Sequence, residues 1–404
     1  MRLTEHPFSD QGPCPPGHTA PLDTDTARIV APAGHESQGR LRLGRLANRP
    51  LADLRRAAAT DDPFSKRATK APDVRRDSRR PTELDHETAR VYDLVRMAAS
   101  SRASPGRWLQ RQARRLDSRP FASVLGRPDW SWALGASRDL SRVTVTNAVL
   151  RTRVSESRGP TVVIIPDPPN VIEHYDELGR ELVGKARLVV ADAPGFGFSE
   201  AGGAFDFSLD AYARAFRELL HAVDARDAVL AFPCVWGYAA TLVAQDNPRV
   251  RGLALAQAPA WADEQRWLHR IGWRGPVTLP GVGQLALRLG ARRVAHQWYD
   301  AALPPAHPRQ HFSAPALAAL EHGAALGLAS LANAWFDVGP PALAAVTQPA
   351  LAFWGGADRS HKKSRAASVT DFVPQARLVR WDDCGHFPEL EQPRRWSELV
   401  LQQL

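Results

Sequence analysis

Long apolar runs are missing from this 404-residue chain. No stretch approaches the roughly 18 consecutive apolar residues of a membrane span, and the first 30 residues lack the apolar core of a secretory signal. Cysteine is scarce: Cys14, Cys234 and Cys384 are odd in number and far apart. That spacing excludes a disulfide framework and the paired ligands of a structural zinc site, so a cytoplasmic protein with neither metal nor cofactor is expected. An even spread of charge is also lacking. Residues 1–120 hold 23 Lys+Arg against 15 Asp+Glu, and the remainder 29 against 28, so the net charge of +9 belongs to the N-terminal part. A nearly neutral remainder argues against nucleic acid as a partner.

Residues 1–82 contain ten prolines and no sustained apolar period, which predicts a basic, largely disordered leader. Met97, the only methionine after the first, falls just beyond it, so a regulatory tail and a misassigned start both stay open. Residues 83–141 read as a helical linker, amphipathic through Leu84, Val91, Leu94, Val95 and Leu109 and broken near Pro105. From Arg142 the character changes. Val143, Val145, Val149 and Leu150 suggest a hairpin, and short runs follow at 161–165, 187–191, 228–231, 252–256, 350–353 and 376–380. Continuous apolar runs of that length are strands buried on both faces. Between them lie helical patterns, the clearest being Leu209, Tyr212, Phe216, Leu219, Leu220 and Val223 behind a candidate N-cap, Ser208. The alternation predicts an α/β fold: a mostly parallel sheet with helices on both faces, built from residues 142–257 and 346–404. One helical, Trp-rich interruption at 258–345, with Trp261, Trp267, Trp273, Trp298 and Trp335, reads as an inserted cap.

Three motifs stand at the ends of these strands. Asp192-Ala-Pro194-Gly195-Phe-Gly197-Phe-Ser199 follows the 187–191 run, Trp354-Gly-Gly-Ala-Asp358 follows 350–353, and Cys384-Gly-His386 leads into Glu391-Gln-Pro393. Together with the order of elements, over about two thirds of the chain, they resemble the α/β-hydrolase superfamily, in particular its cap-bearing esterases and haloalkane dehalogenases. The resemblance implies that the first motif shapes a strand exit, that Asp358 is the triad acid and that His386 is the triad histidine. Such a carboxylate fixes the imidazole tautomer, and the imidazole moves the nucleophile's proton.

The family's nucleophile belongs on a sharp G-x-S-x-G turn after the 228–231 strand, but the sequence there is Ala231-Phe-Pro-Cys234-Val235-Trp236-Gly237. Two registers fit. One puts Val235 in the nucleophile's place, which describes a dead enzyme. The other puts Cys234 there, as in dienelactone hydrolases, at the expense of bulky Phe232 and Trp236 where glycine is usual. The oxyanion loop departs too: Pro166-Asp167-Pro168-Pro169 replaces the family's His-Gly pair, and proline has no N–H to give. Asp167, Val235 and Trp236 are nonetheless the residues expected around substrate. Three readings follow: a Cys234–His386–Asp358 hydrolase or acyl-transfer enzyme acting on a small or medium apolar ester, thioester or lactone; a non-catalytic binding protein of the same fold; and lyase-type proton chemistry run by His386 and Asp358, with Asp167 as an extra acid or base.

Overall fold

The computed structural model describes residues 105–118, 128–135, 139–270, 275–335 and 339–403. The leader and the first part of the linker, including Met97, lie outside these residues, as does Trp273 of the insertion. The linker's later part contains helix α1 (Pro105–Asp117), which starts at the expected proline, and the single turn α2 (Trp130–Leu134).

The sheet is made of β1 (Leu140–Val145), β2 (Ala148–Val154), β3 (Thr161–Ile164), β4 (Arg187–Ala191), β7 (Ala228–Ala231), β8 (Val250–Ala256), β10 (Ala350–Gly355) and β11 (Ala376–Trp381). Their spatial order is β1-β2-β4-β3-β7-β8-β10-β11, and two-residue β6 (Glu200–Ala201) pairs with β2. The β1/β2 hairpin and the β2/β4 pair are antiparallel, and every pair from β4 to β11 is parallel.

Strand period two sorts alternate residues into two cores, one on each face of the sheet. Val163, Val189, Leu230 and Leu253 face α4 (Leu209–Ala222) and α5 (Trp236–Ala244). Val162, Leu188, Val229 and Leu351 face α3 (Asp176–Leu182) and the last helix, α10 (Pro393–Gln403). Ser208 caps α4 as expected, its Oγ accepting from the Ala211 N–H at 3.2 Å. The expected insertion between β8 and β10 contains α6 (Trp261–Arg270), α7 (Val282–Ala302), α8 (Arg309–Glu321) and α9 (Leu328–Trp335). It is tied to the sheet loops through β9 (Ala325–Leu326), which pairs with β5 (Phe196–Gly197), and to α1 through Asp117, whose carboxylate accepts from the Ser330 hydroxyl at 2.8 Å. Among the described residues no helix is long and apolar enough to cross a membrane.

Candidate active site

The turn between β7 and α5 gives Cys234 and Val235 different backbone conformations. Cys234 has φ +50°, in the left-handed region, whereas Val235 is in ordinary right-handed helical conformation as the N-cap of α5. A β-branched residue tolerates the left-handed region poorly, so the strained position suits cysteine better than valine. The turn is closed by three backbone hydrogen bonds: Cys234 N–H to Ala256 O (2.7 Å), Trp236 N–H to Pro233 O (3.0 Å) and Gly237 N–H to Cys234 O (3.0 Å). Tight approach to the end of β8 falls on Gly237, where an added Cβ would meet the Ala258 Cβ at 2.8 Å. Phe232 and Trp236 do not obstruct the turn, because both rings pack in the core against Phe216. Trp236 is absent from the lining of the cleft; its indole N–H donates to Pro166 O at 2.9 Å, which ties α5 to the loop that carries Asp167.

Asp358 and His386 come from the loops after β10 and β11 and meet as expected, with Nδ1 of His386 2.8 Å from Asp358 Oδ2. The carboxylate is held from two further sides, by the Gln257 side-chain amide and by the Ser360 N–H at 2.7 Å. Gln257, itself left-handed at φ +48°, is fixed by the Gly355 N–H donating to its Oε1 at 3.1 Å. Burial works against the Asp358 carboxylate, but the charge and hydrogen bond of His386, followed by His361 and the Ser360 hydrogen bond, outweigh it and hold its pKa at about 2.

Asp167 lies on the other side of the same ring, its Oδ2 3.3 Å from His386 Nε2, so one imidazole is bracketed by two carboxyl groups. Burial disfavours the imidazolium, yet Asp358, Cys234 and Asp167 together carry the His386 pKa well above the ordinary histidine value. Burial pushes Asp167 up as well, against the opposing pull of His386. The Cys234 thiol is pushed well above its ordinary value, by burial first and then by Asp167 and Glu264, so it is protonated at neutral pH. Together these groups leave a protonated thiol beside an imidazole whose charged form is favoured by the carboxyl groups on either side.

Above them opens a cleft. Asp167, Pro168, Cys234 and Val235 form its floor, and Trp267, Val294, Trp298 and Leu331 of the insertion supply an apolar wall. Two buried groups at this site carry no sequence signal. Glu264 of α6 has neither carboxylate oxygen hydrogen-bonded among the described residues, and burial lifts its pKa to about 8. His361 stacks between Trp267 (4.6 Å between ring centres) and His386 (5.2 Å). Both come from loops or helices where a lone Glu or His has no diagnostic spacing.

The Asp192 motif is structural. The Asp192 carboxylate accepts from the Phe198 N–H (3.2 Å) and faces the buried Arg151 guanidinium, while an added Cβ on Gly197 would strike that carboxylate at 2.3 Å.

Comparison with known proteins agrees with this architecture. Epoxide hydrolase A from Mycobacterium thermoresistibile superposes with a TM-score of 0.55 at 18% identity, over 66% of this chain and 97% of that one. A putative epoxide hydrolase from Klebsiella pneumoniae gives 0.54 at 18% identity over 67% and 98%. An esterase from Exiguobacterium antarcticum gives 0.51 at 16% identity over 65% and 98%. At such identities the likeness shows the fold alone. Comparison with curated protein sequences gives no match. The sequence model of the α/β hydrolase fold matches residues 160–393, more than half of the chain, and the chain belongs to that family.

Proposed function

We propose that the chain is a hydrolase that works by nucleophilic catalysis at Cys234, with His386 as proton shuttle and Asp358 as its orienting acid, on a small or medium apolar ester, thioester or lactone. The observation that carries this reading is the left-handed Cys234 on the β7–α5 turn, with its Sγ within 4.8 Å of a ring nitrogen of His386. Strained turns of this kind present a nucleophile clear of the sheet edge. The apolar wall of Trp267, Val294, Trp298 and Leu331 fits an acyl chain, and the buried indole N–H groups of Trp267 and Trp298, without partners among the described residues, are donors for a substrate oxygen.

Asp167 solves two problems in this scheme. In the resting state His386 already holds both protons, so it cannot accept the thiol's. Transfer of the Nε2 proton to Asp167, 3.3 Å away, frees the imidazole to take that proton as Sγ attacks the carbonyl carbon. Asp167, now neutral, becomes a hydrogen-bond donor where Pro168 has no N–H, and stabilises the oxygen that receives the carbonyl π electrons. The tetrahedral intermediate collapses, the leaving group takes the His386 proton, and water activated by His386 releases the acid and regenerates the thiol.

The test is intact-mass spectrometry of acid-quenched full-length protein mixed with a panel of short p-nitrophenyl esters and acyl thioesters. An acyl adduct mapped to Cys234 and absent from Cys234→Ala is expected. Turnover that survives Cys234→Ala but not His386→Ala would replace the proposal with non-covalent proton transfer between His386 and Asp167, the reading that the 3.3 Å contact favours next.

A further inference from the structure

The hydrolytic scheme leaves His361 without a task. It is buried, and its Nδ1 is engaged by the Ser364 hydroxyl at 3.1 Å, which leaves Nε2 buried and unpartnered among the described residues. His386 is in the same condition: Asp358 holds Nδ1, and Nε2 faces Asp167 without making a hydrogen bond. One ring nitrogen of each histidine and the Cys234 Sγ lie within 4.8 Å of one another. These three atoms arrive from the β7–α5 turn, the loop after β10 and the loop after β11.

We propose that Cys234, His361 and His386 form a site for a thiophilic divalent cation, Zn²⁺ above all, with its fourth position open to water or to Asp167. Thiolate and imidazole are the ligands zinc prefers, and hard cations such as Mg²⁺ reject such a set. With Zn–S near 2.3 Å and Zn–N near 2.0–2.1 Å, the ligand atoms of such a tetrahedral site lie roughly 3.3–3.6 Å apart, so a separation of 4.8 Å has to close by roughly 1.2 Å. Each histidine already has the outer partner that orients a metal-binding imidazole, Ser364 for one and Asp358 for the other. Two buried carboxyl groups, Asp167 and Asp358, flank the His386 ring at 3.3 and 2.8 Å and lie where they can balance the charge of a cation. Binding displaces the thiol proton and the Nε2 proton of His386 to solvent, and no oxidant or reductant is involved. The bound ion covers the nucleophile and the base together. On the hydrolytic reading above, it is therefore a reversible inhibitor.

The experiment is Co²⁺ titration of the full-length protein, followed by displacement with Zn²⁺. Expected are one equivalent of Co²⁺, a near-ultraviolet thiolate-to-cobalt charge-transfer band and the visible bands of a four-coordinate centre. Cys234→Ser should abolish the charge-transfer band. His361→Phe, which keeps a ring between Trp267 and His386, and His361→Gln should each weaken Co²⁺ affinity by more than about 100-fold, beyond the 10–100-fold typical of outer-shell changes. Thermal unfolding without metal checks that each variant is folded, and Zn²⁺ should raise the unfolding temperature of the unsubstituted protein only. No thiolate band in that protein, or Co²⁺ affinity unchanged in both folded His361 variants, overturns the site. Failure to trap an acyl adduct at Cys234 leaves the metal result standing, because binding is read without substrate.

Discussion

Asp167→Asn separates the two roles proposed for the Asp167 carboxyl, and its effect can be worked out from the charges around Cys234. In the unsubstituted protein burial, Asp167 and Glu264 all disfavour the thiolate, so iodoacetamide should label Cys234 slowly at neutral pH despite the neighbouring imidazole. Asp167 and Cys234 are in side-chain contact, and removing a charge from such a pair, taken as about 4 Å apart at an effective dielectric near 20, is worth about 4 kcal/mol, or about 10³ in thiolate population. A more acidic thiolate is also a weaker nucleophile, with a Brønsted slope near 0.5, which leaves a net acceleration of about 30-fold. Asparagine keeps the side chain's size and a hydrogen-bond donor, so packing should change little. The assay is the pH dependence of Cys234 labelling, read by peptide mass spectrometry, in Asp167→Asn, His386→Ala and the double variant. The acceleration should need His386, since it is the imidazolium released from Asp167 that stabilises the thiolate. Fast labelling of the unsubstituted protein at pH 7, or an Asp167→Asn rate within about 3-fold of it, would refute this account of the charges.

Trp236→Phe removes the buried donor to Pro166 O and part of a packed ring, and should destabilise the fold by about 2–4 kcal/mol in urea titrations; less than about 1 kcal/mol would mean that Trp236 does not anchor the Asp167 loop. Asp117 is raised to about 6, by burial first, with the Ser330 hydrogen bonds opposing. Because its folded pKa lies above the ordinary 3.8, the stability linked to its proton is complete below pH 3.8 and is lost as pH rises through 6. The loss is on the order of 3 kcal/mol, and Asp117→Asn should flatten the pH 4–7 stability profile by that much relative to the unsubstituted protein. An unchanged difference between the two profiles would place the Asp117 carboxyl in a wetter setting.

The sheet was legible because parallel strands covered on both faces need continuous β-branched and apolar runs, and Thr161–Ile164 and Ala228–Ala231 are such runs. Asp358 and His386 were legible because each follows its strand in a motif, and Ser208 because a cap is a local hydrogen bond. The elbow's register was not legible. Its decision lies in where α5 crosses the end of β8, a contact between residues 237 and 258 that no local pattern encodes. Asp167 was visible as an oddity, but its approach to His386 depends on a loop held by Trp236, 70 residues along the chain. His361 and Glu264 carry no periodic or motif signal, and only the tertiary fold brings them to the cleft. Likewise, cysteine spacing carries no signal of the Cys234–His361–His386 cluster, since spacing reports groups that share a loop and these three come from separate ones.

The Gly237 contact also bears on how such turns are found. Small residues two places before and two places after a nucleophile are usually taken as the mark of this elbow, as though the loop itself had no room for side chains. Here Phe232 and Trp236 occupy those places with their rings in the core, and the need for a missing side chain has moved to the third residue after Cys234. A pattern that asks for a left-handed residue between a buried strand and a helix, with glycine where that helix touches the next strand, describes the steric requirement itself. Sequences discarded as lacking an elbow are worth rereading with that pattern, since bulky neighbours whose rings enter the core do not obstruct such a turn.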